Sequence, residues 1–263
     1  MESEVLVGAP QILVEAVAGC IWQPILTGLS TAQVFRLEQQ TGGKLYLKIA
    51  PQERAGFGLF AEKQNLDWLS GKLPVPEVRL FAANDSLEYL LTSEIAGHAA
   101  SEDSLKTHMT QVVEQLVVGL KLIQSLVIDD CEFDMRLDRT IREAWRSVEM
   151  GLVDESDFDD ERIGRSAEDL FQELVAIKPK NEDLVFTHGD YCLPNVILQD
   201  LQLGGFVDWA RAGIADPYRD IALLARSVKF NFGAEWLPLL FESLGIEPDH
   251  DKLHFYQLLD EFF

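Results

Sequence analysis

The sequence predicts an α+β protein of two lobes, β-rich over residues 1–96 and mostly helical over residues 97–263. Three observations predict it. The first third alternates short apolar runs with Gly, Asn and Asp turn signals. From about Ser101 the apolar residues recur at helical spacing. Between Leu184 and Asp208 the helical texture is interrupted by short strand-like runs.

The elements follow in order. Val34–Leu37 reads as a strand, and Lys44–Ile49 alternates with period two; Thr41-Gly42-Gly43 between them makes the pair a hairpin. Leu59 to Leu69 lacks Gly and Pro and reads as a helix, ended by Gly71 and Pro74. Val78–Phe81 and Tyr89–Thr92 are two more strands, with Asn84-Asp85 turning between them. Val112, Val113, Leu116, Val117, Leu120 and Ile123 form one face of a long helix. Leu137 to Met150 is a second helix. Ser166 to Ile177 is a third, with Ser166 as N-cap and Asp169 approximating a capping box. Leu184–Thr187, Val196–Leu198 and Gly205–Asp208 are short strands, and helices run from Arg219 to the end. A protein of two such lobes is expected to hold its ligand in the cleft between them.

Composition narrows the ligand. The 263 residues carry 44 Asp and Glu against 22 Lys and Arg, a net charge of −22. Phosphate backbones and anionic lipid surfaces attract basic proteins, so neither nucleic acid nor a membrane is expected as partner. A cationic ligand is allowed. No apolar run approaches the roughly 18 residues of a membrane span. Met1-Glu2-Ser3-Glu4 is acidic, unlike the start of a signal peptide. Cys20, Cys131 and Cys192 are odd in number and contain no CxxC pair. The expected setting is a reducing cytoplasm, with no disulfide framework and no zinc site.

The segment richest in chemistry is His188-Gly189-Asp190-Tyr191-Cys192-Leu193-Pro194-Asn195. Asp190 and Asn195 stand five apart in a short loop, and Asp208 follows thirteen later. Phosphoryl transfer from a nucleotide asks for this set. One carboxylate receives or orients the acceptor hydroxyl, a carboxamide oxygen holds Mg²⁺, and a second carboxylate joins that metal to the phosphates. Alone, the loop is also readable as a turn rich in Asp and Asn. Lys48 adds to it: a lysine inside an apolar strand is out of pattern unless it meets phosphates, and Glu62 on the next helix stands where such a lysine needs a partner. Gly28-Leu29-Ser30-Thr31 occupies the place of a phosphate-covering turn, without a GxGxxG or Walker A pattern.

These residues resemble the aminoglycoside 3′-phosphotransferases, the kanamycin and neomycin kinases of bacterial resistance. The matching segments are Leu45-Tyr46-Leu47-Lys48, Gly71 to Pro76, Thr187 to Asn195, Gly205 to Arg211 and Leu258 to Phe263. The stretch Gly151 to Glu161 is similar to the neomycin-kinase branch. The HGD-x4-N loop is shared with choline, homoserine and macrolide kinases; the acidic loop and the Asp-Glu-Phe-Phe ending are narrower.

The resemblance implies a protein-kinase-like fold, ATP and Mg²⁺ as cofactors, and a polycationic aminoglycoside as substrate, with a monomer or weak dimer expected. It implies that Asp190 is the catalytic aspartate and that Asn195 and Asp208 hold magnesium. Lys48 would contact phosphates, paired with Glu62, and Ser30 would sit in the nucleotide loop. Tyr46 would stack on adenine, and backbone groups from Ser93 through Ile95 to Ala96 would bind the adenine edge. Asp157, Asp159, Asp160, Asp260, Glu261 and the Phe263 carboxylate would line the substrate pocket, with Arg211 and Arg226 near it. The chemistry agrees, because a polyamine sugar is recognised by charge-assisted hydrogen bonds to carboxylates. Residues 154 to 161 hold six acids in eight positions. The apolar pairs Leu258-Leu259 and Phe262-Phe263 are expected to anchor the chain end and gather its acids.

One stretch departs from the family. Ser227-Val228-Lys229-Phe230-Asn231-Phe232 carries no acid, and the next is Glu235. That leaves the range of accepted aminoglycosides open. Two other readings also stay open: a kinase of this fold acting on choline, a sugar or homoserine, and an inert binder of nucleotides or polyamines.

Overall fold

The computed structural model describes residues 5–25, 32–52 and 57–263. The chain divides into two compact units. Met1–Gly97 joins Gly204–Arg211 in the first, and His98–Leu203 joins Ala212–Phe263 in the second.

In the first unit, α1 (Gln11–Ala16) precedes β1 (Ile21–Ile25), β2 (Gln33–Glu38) and β3 (Lys44–Pro51). Then come α2 (Leu59–Leu69), β4 (Val78–Ala83) and β5 (Leu87–Ser93). The sheet is antiparallel, in the order β1-β2-β3-β5-β4. The expected Gly-Gly hairpin joins β2 to β3. Gly42 has φ 85°, a left-handed backbone that glycine adopts without steric cost, and the Gln39 N–H donates to the Gly43 oxygen at 2.8 Å. Leu45, Leu47 and Ile49 alternate onto one face of β3. They pack with Phe35, Leu37, Tyr89 and Leu91, and with Leu13 and Val17 at and just beyond α1. Burying each such side chain contributes about 1.5–3 kcal/mol, enough to hold a helix as short as α1 on the sheet.

The second unit is built on helices. α3 (Met109–Gln124) buries Val112, Val113, Leu116, Val117, Leu120 and Ile123, the stripe read from the sequence. α4 (Leu137–Glu149) and α5 (Ala167–Ala176) follow. The Asp169 N–H donates to Ser166 Oγ at 3.1 Å, the N-cap expected there. Two short strand pairs border the loop from His188 to Asn195. β6 (His98–Ala99) pairs with β8 (Val196–Gln199), and β7 (Val185–Thr187) pairs with β10 (Gly213–Ala215), both antiparallel. β9 (Gln202–Phe206) leads into Gly204–Arg211 of the first unit. α6 (Tyr218–Phe232), α7 (Leu237–Leu244) and α8 (His250–Asp260) complete the chain. No helix of the described residues is long and apolar enough to cross a membrane.

The return of Gly204–Arg211 has a steric cause. The Phe206 N–H donates to the Pro74 oxygen at 3.0 Å. A Cβ on Gly205 would lie 2.5 Å from that oxygen and 3.0 Å from Ile95 Cγ2. Only glycine admits so close an approach.

Candidate functional site

Two candidate residues of the first unit, Tyr46 and Lys48, share the sheet face opposite its core. Because side chains alternate along a strand, Tyr46 and Lys48 stand together on the face away from Leu45, Leu47 and Ile49. Lys48 Nζ donates to both carboxylate oxygens of Glu62, at 2.8 and 2.9 Å, and lies 3.1 Å from Asp208 Oδ1. Glu62 is buried on α2 and also accepts a backbone hydrogen bond from Trp209. One helical turn on, Asn65 Nδ2 donates to the Trp209 oxygen at 2.6 Å. Glu62 and Asn65 thus clasp the segment that carries Asp208. Burial alone would lower the Lys48 pKa, but Asp208 and Glu62 outweigh it and hold the ammonium above the usual lysine range. Asp208 lies beyond the end of β9, not in a strand, with φ 68°. Asp accepts that left-handed backbone better than most residues.

We expect Lys48→Met to lower stability by about 3–5 kcal/mol, because it strands the Glu62 carboxylate. Lys48→Met combined with Glu62→Gln should regain most of that loss. Thermal unfolding reads both, and a single variant melting with the wild type would contradict the pairing.

The other nucleotide-side residues fall as follows. Tyr46 is half-buried, and burial pushes its hydroxyl pKa up, with Glu94 adding to the shift. Ser93 Oγ accepts the Glu77 N–H at 2.9 Å and the Ser93 N–H donates to the Glu77 oxygen at 2.9 Å, so both groups hold the end of β5 in place. Ile95 lies against Gly205. Ser30 falls outside the described residues. Arg211 closes the segment Gly204–Arg211 of the first unit, whereas every other substrate-side residue named above belongs to the second.

In the second unit the loop from His188 to Asn195 is fixed by buried polar groups. Asn195 Nδ2 donates to the Asp190 backbone oxygen at 2.9 Å and to Asp190 Oδ2 at 2.8 Å. Asp190 Oδ1 and Asn195 Oδ1 remain as acceptors. Below the loop, Asp220 of α6 is fully buried. Its two oxygens accept the N–H groups of His188 and Gly189, at 2.7 and 2.8 Å. Burial raises the Asp220 pKa, while His188 and the two N–H groups pull it back. Ser227 Oγ accepts the Leu193 N–H at 3.0 Å, and the Tyr191 hydroxyl donates to the Leu116 oxygen at 2.7 Å. Neither Asp220 nor Ser227 stood out in the sequence. The available signal was an acid directly ahead of the apolar run Ile221 to Ala225.

The acidic residues divide into two groups. Asp157 and Asp160 are exposed. Asp159, Asp260 and Glu261 are gathered with two arginines. Arg162 Nη1 donates to Asp159 Oδ2 at 3.0 Å and to Glu261 Oε1 at 2.9 Å. Arg226 pairs with Asp260, and its other nitrogen lies 3.6 Å from Asp159 Oδ2. Arg162 was not singled out from the sequence, although it lies three residues past Asp159 on the same turn. Phe158 is buried and seats the acidic loop. At the chain end Leu258, Leu259 and Phe262 are buried, as expected, with Phe262 edge-on to Phe171. Phe263 departs from that expectation in burial: it is 41% exposed, whereas Phe262 is buried. In the stretch without acids, Lys229 lies 3.7 Å from Glu161, and Phe230 is exposed.

Comparison with known proteins points one way. Residues 21–256 match the model of the phosphotransferase enzyme family. The chain is 38% identical over 257 residues to an aminoglycoside 3′-phosphotransferase of Streptomyces fradiae, covering 92% of this chain and 95% of that one. A second such enzyme, from Niallia circulans, is 37% identical over 238 residues, 90% of each chain. Among solved structures, an aminoglycoside-3′-phosphotransferase of type VIII superposes with a TM-score of 0.87 at 33% identity, covering 98% of this chain and 99% of that one. The aminoglycoside phosphotransferase APH(3″)-Id of Streptomyces rimosus, in complex with ADP and streptomycin, matches with a TM-score of 0.81 at 26% identity, covering 98% of each.

Proposed function

Since the chain belongs to the phosphotransferase enzyme family, and within it to the aminoglycoside 3′-phosphotransferases, we propose that it moves the γ-phosphoryl group of ATP to the 3′-hydroxyl of kanamycin- and neomycin-type aminoglycosides, so conferring resistance. The fold is the protein-kinase-like α+β fold of these relatives. The observation that carries the proposal is the Asp190–Asn195 pair. Asn195 pins one carboxylate oxygen of Asp190 and leaves Oδ1 to accept or orient the proton of an incoming hydroxyl.

Each remaining residue has a task in this reading. Lys48, held cationic between Glu62 and Asp208, takes the nucleotide phosphates. Tyr46 stacks on adenine from the same sheet face. The Ile95 N–H has no partner among the described residues and suits the adenine edge, with Ser93 and Ala96 supplying further backbone groups. Ser30 covers the phosphates. Asn195 Oδ1 and the half-exposed Asp208 carboxylate are two hard oxygens, which fits Mg²⁺, an ion that takes few protein ligands. When bound, Mg²⁺ would offset the charge that develops on the phosphate oxygens. The exposed Asp157 and Asp160 and the paired Asp159, Asp260 and Glu261, with the Phe263 carboxylate, receive the substrate's ammonium groups; Arg226 pairs with Asp260 among them, and Arg211 is assigned to the substrate by the family resemblance alone. Transfer then depends on positioning and fixed charge more than on covalent help from the protein. We place the enzyme in the cytoplasm, where ATP is available, working as a monomer or weak dimer.

The test is ADP release with Mg-ATP and a panel of aminoglycosides, half of them 3′-deoxy, with choline as control. Turnover is expected only for compounds bearing the 3′-hydroxyl. Undiminished turnover of the 3′-deoxy compounds would refute the regiochemistry, and turnover with choline alone would reassign the substrate.

A further inference from the structure

Arg162 is a buried cation in an otherwise acidic loop. It is 4% exposed, and arginine is almost never so buried unless it is paired. A single nitrogen, Nη1, serves both the Asp159 and the Glu261 carboxylates. The second oxygen of Glu261 accepts the Asp159 N–H at 3.3 Å. The acidic loop and the end of the chain are thereby tied at one point, with Glu261 enclosed and Asp159 still open to solvent. A buried ion pair is a weak source of stability, since apolar residues of similar volume often serve as well. What a buried pair of this kind provides is a fixed place for its carboxylates.

We infer that Arg162 is a positioning residue for the aminoglycoside, setting the Asp159 and Glu261 carboxyl groups side by side to receive a substrate ammonium group. The inference rests on the reading above that these acids belong to the substrate site.

It has a consequence that a purely structural tie lacks. The charged groups acting on Glu261 are Asp159 and Arg162 from the acidic loop and Arg226 from α6, which itself pairs with Asp260 at the end of α8. Burial, followed by the Asp159 charge, pushes the Glu261 pKa up to about 7, and Arg162 pulls against that shift. As pH falls through 7, Glu261 gains a proton and loses its attraction for an ammonium. Without Arg162 that protonation moves to higher pH, so at neutral pH Glu261 is mostly uncharged.

The experiment compares wild type, Arg162→Met, Glu261→Gln and the double variant. It measures KM for neomycin and for ATP, with kcat, from pH 6.5 to 8.5, each as a ratio to wild type at the same pH so that titration of the drug cancels. For Arg162→Met we expect the neomycin KM at pH 7 to rise at least about tenfold, the scale of one lost charge-assisted contact. ATP KM and kcat should stay within about threefold, and the neomycin ratio should fall as pH rises. The double variant leaves no unpaired buried charge, so it serves if the single variant does not fold. Its neomycin KM should stay high and show no pH trend in the ratio. A folded Arg162→Met or double variant with wild-type neomycin KM would overturn the inference, as would equal rises in both KM values. Wild-type protein that releases no ADP with any aminoglycoside would instead overturn the functional reading on which the inference stands.

Discussion

Replacing Asp190 with Ala is expected to lower kcat by at least about 100-fold while changing the ATP KM little, the scale of losing proton-transfer help at the reacting hydroxyl. The variant keeps Lys48, Glu62 and Asp208, and so the phosphate side of the site. Asp190→Asn separates two parts of the effect. It keeps an oxygen able to accept the Asn195 N–H, but offers no carboxylate to the hydroxyl. Both variants should therefore fall by similar factors if the carboxylate acts on the acceptor. Recovery of most activity in Asp190→Asn would assign Asp190 to holding Asn195 instead. Steady-state kinetics with kanamycin decides between them.

The second large effect is expected at Asp220, which never meets the substrate. Asp220→Ala removes the acceptors of two buried N–H groups, those of His188 and Gly189. Each N–H left without an acceptor costs about 1–3 kcal/mol. In a chain of this size, a total of about 3 kcal/mol lowers Tm by roughly 6–12 °C. The loop from His188 to Asn195 should also lose its position, and on the proposed reading a displacement of about 1 Å can cost about 100-fold in rate. Asp220→Asn should be intermediate, since its amide supplies one acceptor oxygen. Calorimetry and kcat measured on the same samples test this, and an unchanged Tm for Asp220→Ala would contradict the assigned hydrogen bonds.

The contrast between these two aspartates marks what the sequence could reveal. Asp190 lies in a compact motif, and its spacing to Asn195 singles it out as a candidate. Lys48 and Glu62 were legible because a lysine breaks the apolar alternation of β3 and a helix follows at once. α2 was predicted over the residues it occupies, because Gly and Pro bound it on the C-terminal side. Asp220 carries no such local signal. Its partners lie more than thirty residues away and are backbone groups, which any residue type could supply. α1 and β1 were missed because α1 spans only six residues and a proline interrupts β1; tertiary packing of Leu13 and Val17 decides them. The place of Gly204–Arg211 in the first unit was hidden for a related reason, since Gly205 signals a close approach but not the partner. Phe263 was expected to be enclosed from its type alone, yet it is exposed where the neighbouring Phe262 is buried against Phe171.

The sorting of the acids into exposed and paired groups bears on the timing of binding. Asp159, Asp260 and Glu261 share their surroundings with Arg162 and Arg226, which cancels most of their long-range field. Free carboxylates such as Asp157 and Asp160 project theirs into solvent. Exposed charge chiefly governs encounter and its sensitivity to salt, while enclosed, hydrogen-bonded charge chiefly governs escape. On the proposed reading, the outer acids of the loop draw the drug in. How long it stays is decided by a nearly neutral knot of five side chains, so salt should slow capture far more than it hastens release.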